Sequence, residues 1–178
     1  DLNNGTIVEY GGNSGATIQV MSNSTVNISN MTLTGIGNRA NQLVRAHNGT
    51  SGSTINISDS TITSESTSEY DVVLRGMNTT TLDNVSVTGT HGAVGIEGGE
   101  LTLNNCTINT SNYYGVWISN NYDGTIVVIN SGDYSGGRAA VYASIDDGNQ
   151  DASPVSITIN GGRFHAGSVG DVVLGPKV

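Results

Sequence analysis

Two aromatic rings and a handful of charges are the side chains best placed to do chemistry. In Val116-Trp117-Ile118 and Val141-Tyr142-Ala143, aliphatic residues alternate with a ring. Alternation with a period of two marks a half-buried strand, so the aliphatic residues face inward and Trp117 and Tyr142 face outward, in one column of adjacent repeats. A flat ring with an apolar face and a polar edge suits the C–H faces of sugars. The matching segments Leu43-Val44-Arg45-Ala46 and Val72-Val73-Leu74-Arg75 turn Leu43, Arg45 and Arg75 outward. The two arginines share another column, with His47 nearby. Guanidinium forks fit carboxylates such as those of uronic acids. Glu97, just after Val94-Gly95-Ile96, stands at the margin of this surface. Trp117, Tyr142, Arg45, Arg75, His47 and Glu97 are therefore the candidate ligand-binding residues.

Other chemistry is less well provided for. Glycoside hydrolysis usually needs two carboxyl groups facing each other across one bond. Asp71 and Glu97 are the outward carboxylates of the same strand family, but they fall in different columns of different repeats, and no catalytic residue is assigned. In Asp147-x-Asn149-x-Asp151 the oxygens alternate as in a Ca²⁺ loop, which makes these three a candidate metal site. The stretch lacks the glycine after Asp151 and the distant glutamate, so the signal is weak and a plain solvated loop is the simpler reading. Thr32-x-Thr34, Thr61-x-Thr63 and Ser86-x-Thr88 form an outward hydroxyl array of the kind that could order water or ice. Threonine suits any wet strand face, and the array breaks at Asp133-x-Ser135 and Arg163-x-His165. Cys106, the one cysteine, cannot form an internal disulfide, and its inward position assigns it to the core.

The positioning elements repeat. Glu100 to Ile108 reads E-L-T-L-N-N-C-T-I, two short alternating runs joined by an asparagine pair. Asparagine tolerates the left-handed conformation that a tight corner needs. Ile28, Ile57, Leu82, Leu103, Ile129 and Ile159 hold the same place in successive copies, at intervals of 21 to 30 residues. Such a period means one solenoid coil per repeat. Each coil adds the V-x-I strand described above, which makes three strands per coil. The expected fold is all-β, a right-handed parallel β-helix of about six coils, about 4.8 Å per coil and about 30 Å long. Val26, Ile28, Met31, Leu33, Leu101, Leu103, Cys106, Ile108, Ile129, Tyr134, Ile159 and Phe164 are its expected interior. Asn30, Asp59, Asn84 and Asn105 are expected to stack as a corner ladder. The longer loops, at 35–41, 48–53, 64–70 and 146–153, are where a solenoid carries added function.

Composition agrees with a thin solenoid. The 178 residues fit one domain, 1–178, with 35% hydrophobic but only 5% aromatic content. The 25 glycines serve turns. A net charge of −9 argues against nucleic acid as partner, since phosphate binding needs clustered cations. No run of 18 apolar residues is present to span a membrane. The Thr/Asn/Ser/Gly-rich, lysine-poor surface favours an exported protein, extracellular or on the cell surface. Open ends without a capping helix favour a segment of a longer surface protein flanked by other domains.

The V-x-I strand, the turn and the L-T-L-N-N-C-T-I unit resemble the pectate-lyase-like superfamily of right-handed β-helices over essentially the whole chain. The Ile157–Phe164 stretch, I-T-I-N-G-G-R-F, looks like repeats of large cell-surface proteins. The resemblance is closest in style to bacterial or archaeal surface adhesins and pectin-binding β-helix domains. It implies a carbohydrate-binding or adhesin module, with a polysaccharide or a host or cell-surface glycan lying across the V-x-I sheet. The same resemblance leaves open a polysaccharide lyase or hydrolase, and a structural stalk, because these motifs specify the coil and not the chemistry.

Overall fold

The computed structural model describes residues 1–10, 16–37, 42–47, 51–66, 72–76, 78–119, 124–144 and 155–175. It is a right-handed parallel β-helix with no helix among these residues. The chain opens with β1 (Leu2–Tyr10), β2 (Ala16–Val20) and β3 (Thr25–Ile36). Then come β4 (Gln42–Ala46), β5 (Thr54–Ser58) and β6 (Thr61–Ser64), then β7 (Val72–Gly76), β8 (Thr79–Asp83) and β9 (Ser86–Gly89). β10 (Gly92–Ile96), β11 (Gly99–Asn104) and β12 (Cys106–Thr110) make the middle coil. β13 (Tyr114–Ser119), β14 (Thr125–Ile129) and β15 (Gly132–Gly136) follow. β16 (Ala139–Ser144), β17 (Val155–Ile159), β18 (Arg163–Ala166) and β19 (Val172–Leu174) close the chain.

Every pairing is parallel between successive coils. β2, β4, β7, β10, β13, β16 and β19 form a seven-stranded sheet. The other two strand families join into one 12-stranded sheet, because β1 and β3 run unbroken through the corner that separates the families elsewhere. The repeat read from the sequence is the register: Ile28 pairs with Ile57, Ile57 with Leu82, Leu82 with Leu103, Leu103 with Ile129 and Ile129 with Ile159. The smaller sheet is seven strands deep, and the coil count differs slightly from the six expected. At the start of the chain, β1 adds to the larger sheet, pairing with β3 from Leu2↔Ile28 to Tyr10↔Ile36.

The corner is made by left-handed residues. Asn4, Asn30, Asp59, Asn84 and Asn105 have φ between 47° and 55°. Asn84 Nδ2 donates to Asp59 Oδ1 at 2.7 Å, and Asn105 Nδ2 donates to Asn84 Oδ1 at 3.3 Å. Asn30, expected in this ladder, donates to Asn3 Oδ1 at 3.4 Å instead. Two further amide ladders stand on the same sheet. Asn56 donates to Asn27, which donates to Asp1; Asn160 donates to Asn130, which donates to Asn104. In all of them each amide donates toward the preceding coil.

The interior is a set of aliphatic columns. Leu33, Ile62, Val87, Ile108 and Tyr134 stack in one, all buried, with half-buried Phe164 after Tyr134. The aromatic end of this column needs room beside it. Gly132 (φ 137°) and Gly162 (φ 127°) supply that room, and the Tyr134 and Phe164 rings stack with centroids 5.2 Å apart. The Tyr134 hydroxyl donates to the Ser131 carbonyl at 2.7 Å. Cys106 is fully buried at the place held by Met31 and Val85 in other coils, and desolvation pushes its thiol up to about 11.

Expectations about burial are corrected at both ends of the scale. Ile159, expected inside, is 41% exposed because β17 is the last strand of its column among the described residues. Val172 and Leu174, which the V-x-I alternation turns inward, are exposed because β19 ends the seven-stranded sheet. Leu43, assigned outward, is 1% exposed, and β4 is buried along most of its length.

Candidate functional site

The outward face of the seven-stranded sheet carries the candidate residues in one line. Gln19 pairs with Arg45, Arg45 with Arg75, Arg75 with Gly95, Gly95 with Trp117, Trp117 with Tyr142 and Tyr142 with Val173. The arginines and the aromatics thus share a single column, where two were expected. The cause is the register of β7: Leu74 pairs with Val94, and Val72 with Gly92, two residues on from the alignment that the repeated V-x-I pattern suggests. Parity survives such a shift, but column membership does not.

Along this column the chemistry divides at Gly95. On one side are Arg45, half-buried, and Arg75. On the other are Trp117 and Tyr142, both half-buried. Glu97 lies one strand beyond Arg75 and is buried, with its carboxylate Oε2 bonded to Arg75 Nη2. The side chains of Arg75 and Glu97 are 17% and 5% exposed. Arg75 therefore faces a carboxylate of its own chain. His47 follows β4 and is exposed. Asp71 lies outside the described residues, as do Asp147, Asn149 and Asp151 of the candidate Ca²⁺ loop. Among the described residues no three His, Cys, Asp or Glu side chains gather as a metal site.

An aromatic group that the sequence reading missed adjoins this face. Tyr142 stacks on Tyr114, with centroids 4.1 Å apart and planes within 6°. Tyr114 meets Tyr113 edge-on at 5.8 Å, and Tyr113 meets His91 at 5.1 Å. The Arg138 guanidinium lies 4.1 Å over the Tyr113 ring. His91, Tyr113 and Arg138 directly precede Gly92, Tyr114 and Ala139, which are register partners, so the three form a stack across successive coils. The available signal was that each stands just before the V-x-I strand of its coil.

The hydroxyl array is in register too. Thr32, Thr61, Ser86 and Thr107 form one outward column, and Thr34, Thr63, Thr88 and Asn109 the next. Both columns end in charge. Asp133 stands 3.7 Å from Arg163 and 3.7 Å from His165.

The fold defines the class as a parallel β-helix. No protein-family model, curated protein or solved structure matches the chain. Among the described residues no helix is long and apolar enough to cross a membrane.

Proposed function

We propose that the chain is a carbohydrate-binding or adhesin module of an exported or cell-surface microbial protein, and that it takes an extended, acidic polysaccharide across the seven-stranded sheet. The observation that carries this reading is the single column Arg45–Arg75–Gly95–Trp117–Tyr142. Rungs about 4.8 Å apart on a rigid sheet let one polymer touch several coils, so many weak contacts add up with little ordering cost. Trp117 and Tyr142 provide faces for sugar rings, and the arginines continue the same column beyond the buried Gly95. The likeness of the repeat to pectate-lyase-like β-helices and surface adhesins supports the same ligand class.

The site favours holding over cutting. Among the described residues the only outward carboxylate of this sheet is Glu97, and Arg75 already engages it. A glycan array with acidic and neutral polysaccharides tests the proposal. Bound acidic polymer without new reducing or unsaturated ends supports it. Such ends would indicate a lyase or hydrolase, and an array with no bound glycan would indicate a stalk. Asp147, Asn149 and Asp151 stay a proposed Ca²⁺ loop, tested by thermal melts with and without the ion.

A further inference from the structure

We propose that Arg138, whose guanidinium lies over Tyr113, binds the carboxylate of a uronic-acid-type sugar whose ring lies on the neighbouring Tyr114–Tyr142 pair. This rests on the polysaccharide-binding reading above and names the cation that selects acidic sugars within it.

The other described arginines are less available for that task. Arg75 is bonded to Glu97, and Arg163 faces Asp133 at 3.7 Å. Arg45 is half-buried. Arg138 is exposed and, among the described residues, takes part in no ion pair. Its guanidinium carbon lies over the Tyr113 ring, 4.1 Å from the centroid, a contact that uses the cation's charge and none of its N–H donors, so these stay available to a carboxylate. The ring contact also restricts the side chain before the ligand arrives, so less freedom is lost on binding.

The backbone beneath is fixed as well. The Arg138 N–H donates to the Tyr113 carbonyl at 2.9 Å, and its own carbonyl accepts from the Val169 N–H at 2.9 Å. Gly137 packs so closely on the Ser111 carbonyl that no side chain fits there. Tyr113 sits between His91 on the preceding coil and Arg138 on the following one, so the ring cannot swing away without losing both contacts. From Arg138 the ring contacts run through Tyr113 and Tyr114 to Tyr142, and Tyr142 is the register partner of Trp117. A cationic end and an aromatic platform therefore form one continuous surface on a chain whose net charge is −9. On such a chain an anionic sugar needs a local cation to offset the general repulsion.

The test compares two polymers with the same sugar backbone, oligogalacturonate and its methyl ester, by calorimetric titration. Wild-type protein is expected to bind the free acid more tightly than the ester. Arg138→Gln should lower affinity for the acid about tenfold, as loss of a charge-assisted hydrogen-bond pair does, and leave the ester within about twofold. Arg138→Lys keeps the charge without the fork and should fall between; it also serves if the Gln variant melts early. Trp117→Ala probes the underlying reading and should weaken both polymers. Equal loss of acid and ester in Arg138→Gln, or no loss while Trp117→Ala weakens both, overturns the role of Arg138 and leaves the binding reading standing. Wild-type protein that binds neither polymer overturns both.

Discussion

Arg75 and Glu97 are joined across adjacent strands of the seven-stranded sheet, Nη2 to Oε2, on the outward face where a ligand was expected. The carboxylate is buried, so the pair acts as part of the structure. Removing one partner leaves the other charge covered and uncompensated. Glu97→Ala is expected to destabilise the fold by on the order of 3 kcal/mol, read as a lower midpoint in urea unfolding. Glu97→Ala together with Arg75→Met should recover much of that loss. A double variant no more stable than the single one would show that the pair is not the cause.

Leu103 is fully buried between Leu82 and Ile129 in the central column. A solenoid core is only a few side chains wide, so a charge there has no partner and no water. Leu103→Asp is expected to abolish the β-sheet circular dichroism signal. Leu103→Ala should fold with a loss of about 2–5 kcal/mol.

Gly132 and Gly37 separate two reasons for a glycine. Both have positive φ, 137° and 98°. At Gly37 an added Cβ would have nothing within 4 Å, so Gly37→Ala should cost about 1 kcal/mol of backbone strain. At Gly132 the Cβ would run into the Cys106 carbonyl and come 2.9 Å from the Tyr134 hydroxyl. Gly132→Ala should therefore cost more than about 3 kcal/mol, because rigid backbone cannot give way. Equal melting temperatures for the two variants would contradict this account.

Burial pushes the Cys106 thiol from its ordinary value of 9.0 up to about 11. The folded state therefore keeps its proton where the unfolded chain has lost it. The stabilisation is fully present below the unfolded value and is lost as pH rises from about 9 through about 11. Chemical denaturation at stepped pH should show stability falling across that window, and Cys106→Val, which copies Val85, should flatten the fall. Native protein should also resist thiol alkylation at pH 8.

The interior was legible because its signal is local. The place of Leu103 in each coil can be read from alternation and an asparagine corner, and the pairing follows it from Ile28 to Ile159. The outer face was less legible, for a physical reason. Parity fixes which side a residue takes, but a column depends on register, and β7 shifts by two residues without changing parity. Arg45 and Arg75 thus came into line with Trp117. Leu43 and Glu97 were read as exposed because burial of an outward residue depends on what lies over the sheet, which no strand pattern encodes. His91, Tyr113 and Arg138 precede their strands, outside the alternation, so only a comparison of turns coil by coil would have brought them together.

The most direct test of the binding account is the affinity of the wild-type protein, Trp117→Ala and Tyr142→Ala for an acidic polysaccharide such as polygalacturonate, with folding checked by thermal melts. The account predicts measurable binding by wild-type protein, a loss of about 1–3 kcal/mol on removing Trp117, as for other aromatic anchors, and a further loss when Tyr142 is removed as well. Binding that survives the loss of both rings, or an acidic polymer that never binds the wild-type protein, would contradict it.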